Sequence, residues 1–74
     1  MYKETFGQKL RQARIEAGYT QQQIESITKI NQKNISKYEN GKLEPNLETL
    51  GILADFYEVS VDWLLGTKGN NRKQ

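Results

Sequence analysis

The stretch TQQQIESITKINQKNISKYENG, Thr20 to Gly41, decides the fold of this 74-residue chain, and the rest reads as scaffold around it. It predicts two short helices joined by a tight turn. Thr20 suits the N-cap of the first, Gln23 three residues on can return a hydrogen bond, and Tyr19 and Ile24 stand at the positions of a hydrophobic staple. Ile24 and Ile27 are then its expected buried stripe. The second helix starts in the same way, with Asn31 as N-cap, Ile30 and Ile35 as staple, and Tyr38 one turn later.

If Ile35 and Tyr38 face inward, a rotation of about 100° per residue turns Lys33, Ser36 and Lys37 outward, with Gln32 and Asn34 at the flanks. That face holds no carboxylate. It is a row of donors and cations, the residue types that pair with base edges in a DNA major groove: Gln with adenine, Lys with guanine, Ser with either. A two-helix unit presenting such a second helix has the helix-turn-helix arrangement.

Gln21 to Ile24, the Ile30-Asn31 turn exit, Ile35-Ser36-Lys37-Tyr38-Glu39-Asn40-Gly41 and Glu44-Pro45-Asn46-Leu47-Glu48-Thr49-Leu50 together resemble the Cro and lambda-repressor-type (XRE-type) helix-turn-helix regulators. The resemblance runs from about Phe6 to Gly66. Two positions depart from the pattern, Glu25 where a small residue is usual and Lys29 where glycine is usual; a lysine in a left-handed turn is strained by roughly 1 kcal/mol. The resemblance implies a lambda-repressor-like five-helix domain and a pairing of Arg14 with Glu39 that ties the first helix to the third. It also implies that the loop after the third helix lies on the DNA backbone, where Asn40 and Lys42 would meet a phosphate.

Composition removes the competing function classes. The chain has no cysteine and no histidine, so disulfides, thiolate metal sites and the common general bases and zinc ligands are missing, and the carboxylates stand at no metal-binding spacing. An enzyme is not expected, and neither is a metal or cofactor. No apolar run approaches the roughly 18 residues of a membrane span, and the N-terminus lacks a signal-peptide core, so a soluble cytoplasmic protein is expected.

The formal net charge of +2 hides a division. Residues 1–42 carry eight basic and four acidic side chains; residues 43–65 carry Glu44, Glu48, Asp55, Glu58 and Asp62 with no Lys or Arg; Lys68, Arg72 and Lys73 follow. The basic half coincides with the two-helix motif, which suggests that this side meets a polyanion.

Along the chain, Phe6, Leu10, Ala13 and Ala17 predict a first helix from about Thr5 to Ala17, stopped by Gly18. Asn46 caps a fourth running to about Tyr57, with Leu47, Leu50, Leu53, Ala54 and Tyr57 on one side and Ile52 and Phe56 widening the stripe. Gly51 within it predicts close approach of another helix. Ser60 caps a fifth helix, Val61 to Leu65, with Val59 and Leu64 as staple and Gly66 as stop. Trp63 closes the bottom of the bundle, whereas Leu64 and Leu65 are candidates for a subunit contact. The expected organisation is an all-α domain over residues 1–66 and a disordered basic tail over 67–74.

These expectations converge on a regulator that binds double-stranded DNA. Gln32, Lys33 and Lys37 would read bases, although both lysines also suit phosphates; Asn34 and Ser36 would assist at base or backbone; Gln21 would add a donor where the second helix meets a phosphate. A homodimer on a near-palindromic operator is expected, and with no second domain foreseen, repression. The alternative, from a different class, is a protein-interaction module: an antitoxin that masks a toxin, or a repressor captured by an anti-repressor through the acidic stretch.

Overall fold

Capping side chains delimit the helices. The computed structural model describes residues 2–67, so all but the first residue of the expected basic tail lies outside the described residues. It contains α1 (Tyr2–Ala17), α2 (Gln21–Thr28), α3 (Gln32–Glu39), α4 (Leu47–Tyr57) and α5 (Val61–Leu65), an all-α architecture. At α2, Thr20 Oγ1 accepts from the Gln23 amide at 3.1 Å while Gln23 Oε1 accepts from the Thr20 amide at 2.8 Å, a closed capping box. Asn31, Asn46 and Ser60 accept from Lys33, Thr49 and Trp63 amides to start α3, α4 and α5. Each such cap is worth about 1 kcal/mol. Gly18, Gly41 and Gly66 end their helices with positive φ. Only α1 departs at its start: it begins at Tyr2 because nothing before Thr5 breaks a helix, and Glu4 in the first turn suits the positive end of the helix dipole.

The core is built from Phe6, Leu10 and Ala13 of α1, Ile24 of α2, Ile35 and Tyr38 of α3, Leu53, Ala54 and Tyr57 of α4, and Val59 and Leu64 around α5. Each fully buried Leu or Ile contributes on the order of 1.5–3 kcal/mol of transfer free energy. α1 packs chiefly against α3 and α5, and α2 against α3, so α1 supports the two-helix unit from behind. Tyr19, from the α1–α2 link, stacks at a tilt on Phe56 with ring centroids 5.3 Å apart.

Several expected positions are corrected. Ile27 is 52% exposed, since it lies at the edge of an eight-residue helix whose inward point is Ile24. Ala17 is exposed at the last residue of α1, and Leu47 is 85% exposed, because the first residue of α4 tilts its side chain back past the helix start and clear of the core. Leu64 is fully buried, so the subunit contact expected of it is not available; it fills the core beneath α5. Lys29 does adopt the left-handed conformation, φ 68°, and its strain is offset by the amide bond to the Glu25 carbonyl at 2.8 Å.

The close-approach glycine is Gly7, not Gly51. An added Cβ at Gly7 would stand 2.5 Å from the Tyr38 carbonyl oxygen and 2.8 Å from that of Glu39, whereas one at Gly51 would meet nothing within 4 Å. α1 therefore crosses directly over the backbone at the end of α3. Gly7→Ala is expected to destabilise the fold by about 2 kcal/mol or more, through backbone displacement. Gly51→Ala should stabilise it by about 1 kcal/mol. Chemical denaturation of the two variants beside the parent tests both signs.

Candidate nucleic-acid interface

α3 presents the face that the residue pattern outlines. Ile35, Tyr38 and Glu39 are buried, Lys33 and Lys37 are exposed, and Gln32, Asn34 and Ser36 are partly exposed at the margins. Asn40 Nδ2 lies 3.4 Å from Ser36 Oγ, joining these two side chains at the end of the helix. The helix stops in a Schellman motif: Gly41, at φ 73°, donates to the Tyr38 carbonyl and Lys42 to the Lys37 carbonyl at 2.8 Å. That motif holds Lys42, exposed, one residue past the turn beside Asn40. Gln32, Lys33, Asn34, Ser36, Lys37, Asn40 and Lys42 thus run along one helix and its exit loop.

A buried carboxylate organises the same end of the helix from beneath. Arg14 grips Glu39 with two parallel bonds, Nε to Oε2 at 2.7 Å and Nη2 to Oε1 at 3.0 Å. Its remaining arm, Nη1, donates to the Tyr19 carbonyl at 3.0 Å, so one guanidinium joins the end of α3 to the turn leading into α2. Gln21, the first residue of α2, donates its side-chain amide to Glu39 Oε1 at 3.1 Å. The Glu39 bond holds the guanidinium charged more firmly than an ordinary arginine, against the opposing effect of burial. Tyr57 lies under the same cluster with its hydroxyl buried and unpartnered among the described residues; burial and, secondarily, the Glu39 charge push its phenol far above the usual tyrosine range.

Residue patterns alone missed two of these features. Gly7 falls on the buried face three residues before Leu10, the position where a glycine signals close helix contact, a signal that Gly51, on the exposed face of α4, does not carry. The Gln21–Glu39 bond joins residues 18 apart and had no local signal. Leu65 is partly buried and lines a groove of about 220 Å³ with Tyr2, Lys3, Phe6, Glu44, Pro45 and Leu50. Trp63, partly buried, carries the Lys9 ammonium 4.8 Å from its ring centroid.

A family model described as a helix-turn-helix domain matches residues 7–70. The chain is 38% identical over 69 residues to the HTH-type transcriptional regulator ImmR of Bacillus subtilis (strain 168), covering 93% of this chain and 54% of that protein. It is 42% identical over 60 residues to the SPbeta prophage-derived uncharacterized HTH-type transcriptional regulator YonR of the same organism, covering 81% of this chain and 56% of that protein. It is 38% identical over 60 residues to the HTH-type transcriptional activator BcrR of Enterococcus faecalis, covering 81% of this chain and 29% of that protein. The chain thus spans about half the length of the first two relatives.

The buried Tyr57 hydroxyl sets an alkaline limit on the fold. Its folded pKa is raised above 10.0, so the stabilisation is present below about pH 10, where the unfolded phenol is still neutral, and is lost as pH rises toward the folded value. The unfolding midpoint of the parent should therefore fall above about pH 10, and that of Tyr57→Phe should fall less. At pH 7 the variant, which removes an unpartnered hydroxyl, should be as stable as the parent or more so. Denaturation midpoints across pH 7–11 check both.

Proposed function

This chain belongs to the XRE-type helix-turn-helix family, and on that premise we propose that it binds duplex DNA sequence-specifically, as a dimer on a near-palindromic operator, with α3 in the major groove. The observation that carries this is the outward face of α3, where Lys33 and Lys37 are exposed between Gln32, Asn34 and Ser36 with no carboxylate among them. Gln32, Lys33 and Lys37 read bases, Asn34 and Ser36 assist, and Asn40 and Lys42 take a phosphate beyond the helix end. The first turn of α2 takes another, with Gln21 beside it.

One domain reads few base pairs, so useful affinity calls for two copies on half-sites roughly 34–36 Å apart. The groove along Leu65 suits a two-fold contact, because it is apolar with Lys3 and Glu44 both at its lining, and a symmetric pairing lets each lysine meet the partner copy's glutamate. Repression in the cytoplasm is the proposed outcome, since occlusion of a promoter requires nothing but occupancy.

A second reading, capture by a protein partner such as a toxin or an anti-repressor, is favoured by one observation: Leu47, Glu48, Gly51, Ile52 and Asp55 form an exposed arc on α4, acidic and partly apolar, with Glu58 exposed at its end. The two readings separate by which face tolerates change.

Selection from a randomised duplex pool at two salt concentrations tests the proposal. A two-fold symmetric site should enrich, and the Gln32→Ala/Lys33→Ala variant should lose about 1–3 kcal/mol for each base-reading pair and relax those positions. Leu65→Asp should yield a monomer by sedimentation and lose preference for the paired site. Weak, unselective binding that ignores the α3 variant would refute the operator reading and direct attention to α4.

A further inference from the structure

Glu39 is the last residue of α3 and is buried to 2% side-chain accessibility, yet it receives three hydrogen bonds from two other elements. Two of them, from Arg14, neutralise it. The third, from Gln21, has no neutralising purpose, since a carboxamide carries no charge. What it does is set the direction of the Gln21 side chain. An ionised carboxylate only accepts, so the nitrogen of the amide must face Glu39, and this fixes where its carbonyl and its second N–H point.

We infer that Glu39 is a positioning residue for DNA binding: it holds the Gln21 carboxamide so that the second N–H is already aimed beyond the first turn of α2, where a phosphate would sit. This rests on the DNA reading above. The local chemistry leaves that direction open to a ligand. The capping box occupies the amides of Thr20 and Gln23, and the backbone amides of Gln21 and Gln22 remain in the first turn beside the Gln21 side chain. A glutamine is otherwise among the more mobile side chains, and ordering it only at binding would lower affinity by on the order of tenfold. Fixing it in the free protein removes that loss.

The arrangement also explains why the acceptor has to be paired. An uncompensated carboxylate at this end of α2 would repel the phosphate that Gln21 serves; Arg14 cancels it from behind with a fork that covers both oxygens. Arg14 thereby supports the phosphate contact without touching DNA. Because Glu39 closes the recognition helix and Gln21 opens the preceding one, the same bond fixes the position of the phosphate donor relative to the base-reading face.

The test uses the operator recovered from the randomised pool, remade as a series of duplexes each with a single phosphate replaced by methylphosphonate. In the parent, neutralising the phosphate that faces α2 should lower affinity about tenfold, and Gln21→Ala should reduce that sensitivity to what the backbone amides of the first turn alone supply. Removing Glu39 alone would strand Arg14, so the informative variant is Arg14→Met/Glu39→Met, an apolar replacement of a buried pair that is often neutral or stabilising. Its sensitivity at the same single phosphate should fall as far as that of Gln21→Ala, while sensitivity at the phosphates near Lys42 persists. In the free parent, the Gln21 side-chain amide protons should exchange with solvent more slowly than those of Gln22, and the double variant should abolish the difference. Retention of the parent's full α2 phosphate sensitivity in the double variant, or Gln21 protons in the parent that exchange like those of Gln22, would overturn the inference while leaving the operator intact. Failure of the pool to yield any site would instead overturn the reading on which it rests.

Discussion

One ion pair gathers the polar contacts that join α1, α2 and α3. Arg14 reaches from α1 to Glu39 at the end of α3, and its third arm holds the carbonyl of Tyr19, so three segments of chain are fixed by a single guanidinium. A buried pair of this kind adds little net stability, because desolvation offsets most of the attraction. What it supplies is angle: two parallel bonds from a planar fork tolerate little rotation. Gly7 makes the pairing possible from the other side, since the backbones of α1 and α3 come within a distance that no side chain at residue 7 would permit. The helix-turn-helix unit is thus held by a contact without a side chain and by a polar clamp, with Ile24, Ile35 and Tyr38 packed between.

How much of this could be read from residue order depends on how local each determinant is. Thr20, Asn31, Asn46 and Ser60 bond within three residues of themselves, and the helices they start lie where the caps predict. Gly18, Gly41 and Gly66 are equally local, and all three sit at positive φ. Burial was less legible because it depends on what lies opposite. Ile27 and Leu47 fit the helical period of their elements and are still exposed, for no second helix reaches that far. Leu64 errs in the other direction: a five-residue helix with three large apolar side chains looked overfull, but the space under α5 accepts Leu64 whole. Gln21 bonded to Glu39 is non-local in sequence and polar, and neither period nor propensity reports such a contact.

Charge is sorted along the same lines as structure. Residues 43–65 hold five carboxylates and no Lys or Arg, while α3 shows cations and amides outward and hides its one carboxylate, Glu39, against Arg14. The exposed cations of α3, with no carboxylate among their outward neighbours, would attract a polyanion to that face. In salt near 0.15 M this guidance reaches only about 8 Å, so it orients the last step of encounter and not the search before it.

The exposed lysines of α3 bear little of the fold's weight. Lys33 and Lys37 stand clear of the core, and the helix is stopped by backbone bonds from Gly41 and Lys42 that do not depend on which side chains the exposed face carries. Substitutions on such a surface usually shift stability by no more than about 0.5 kcal/mol. The exposed face of α3 can therefore change its chemistry by single steps, each variant folding nearly as well as the last, so that what this surface presents is free to vary while the scaffold beneath it stays fixed.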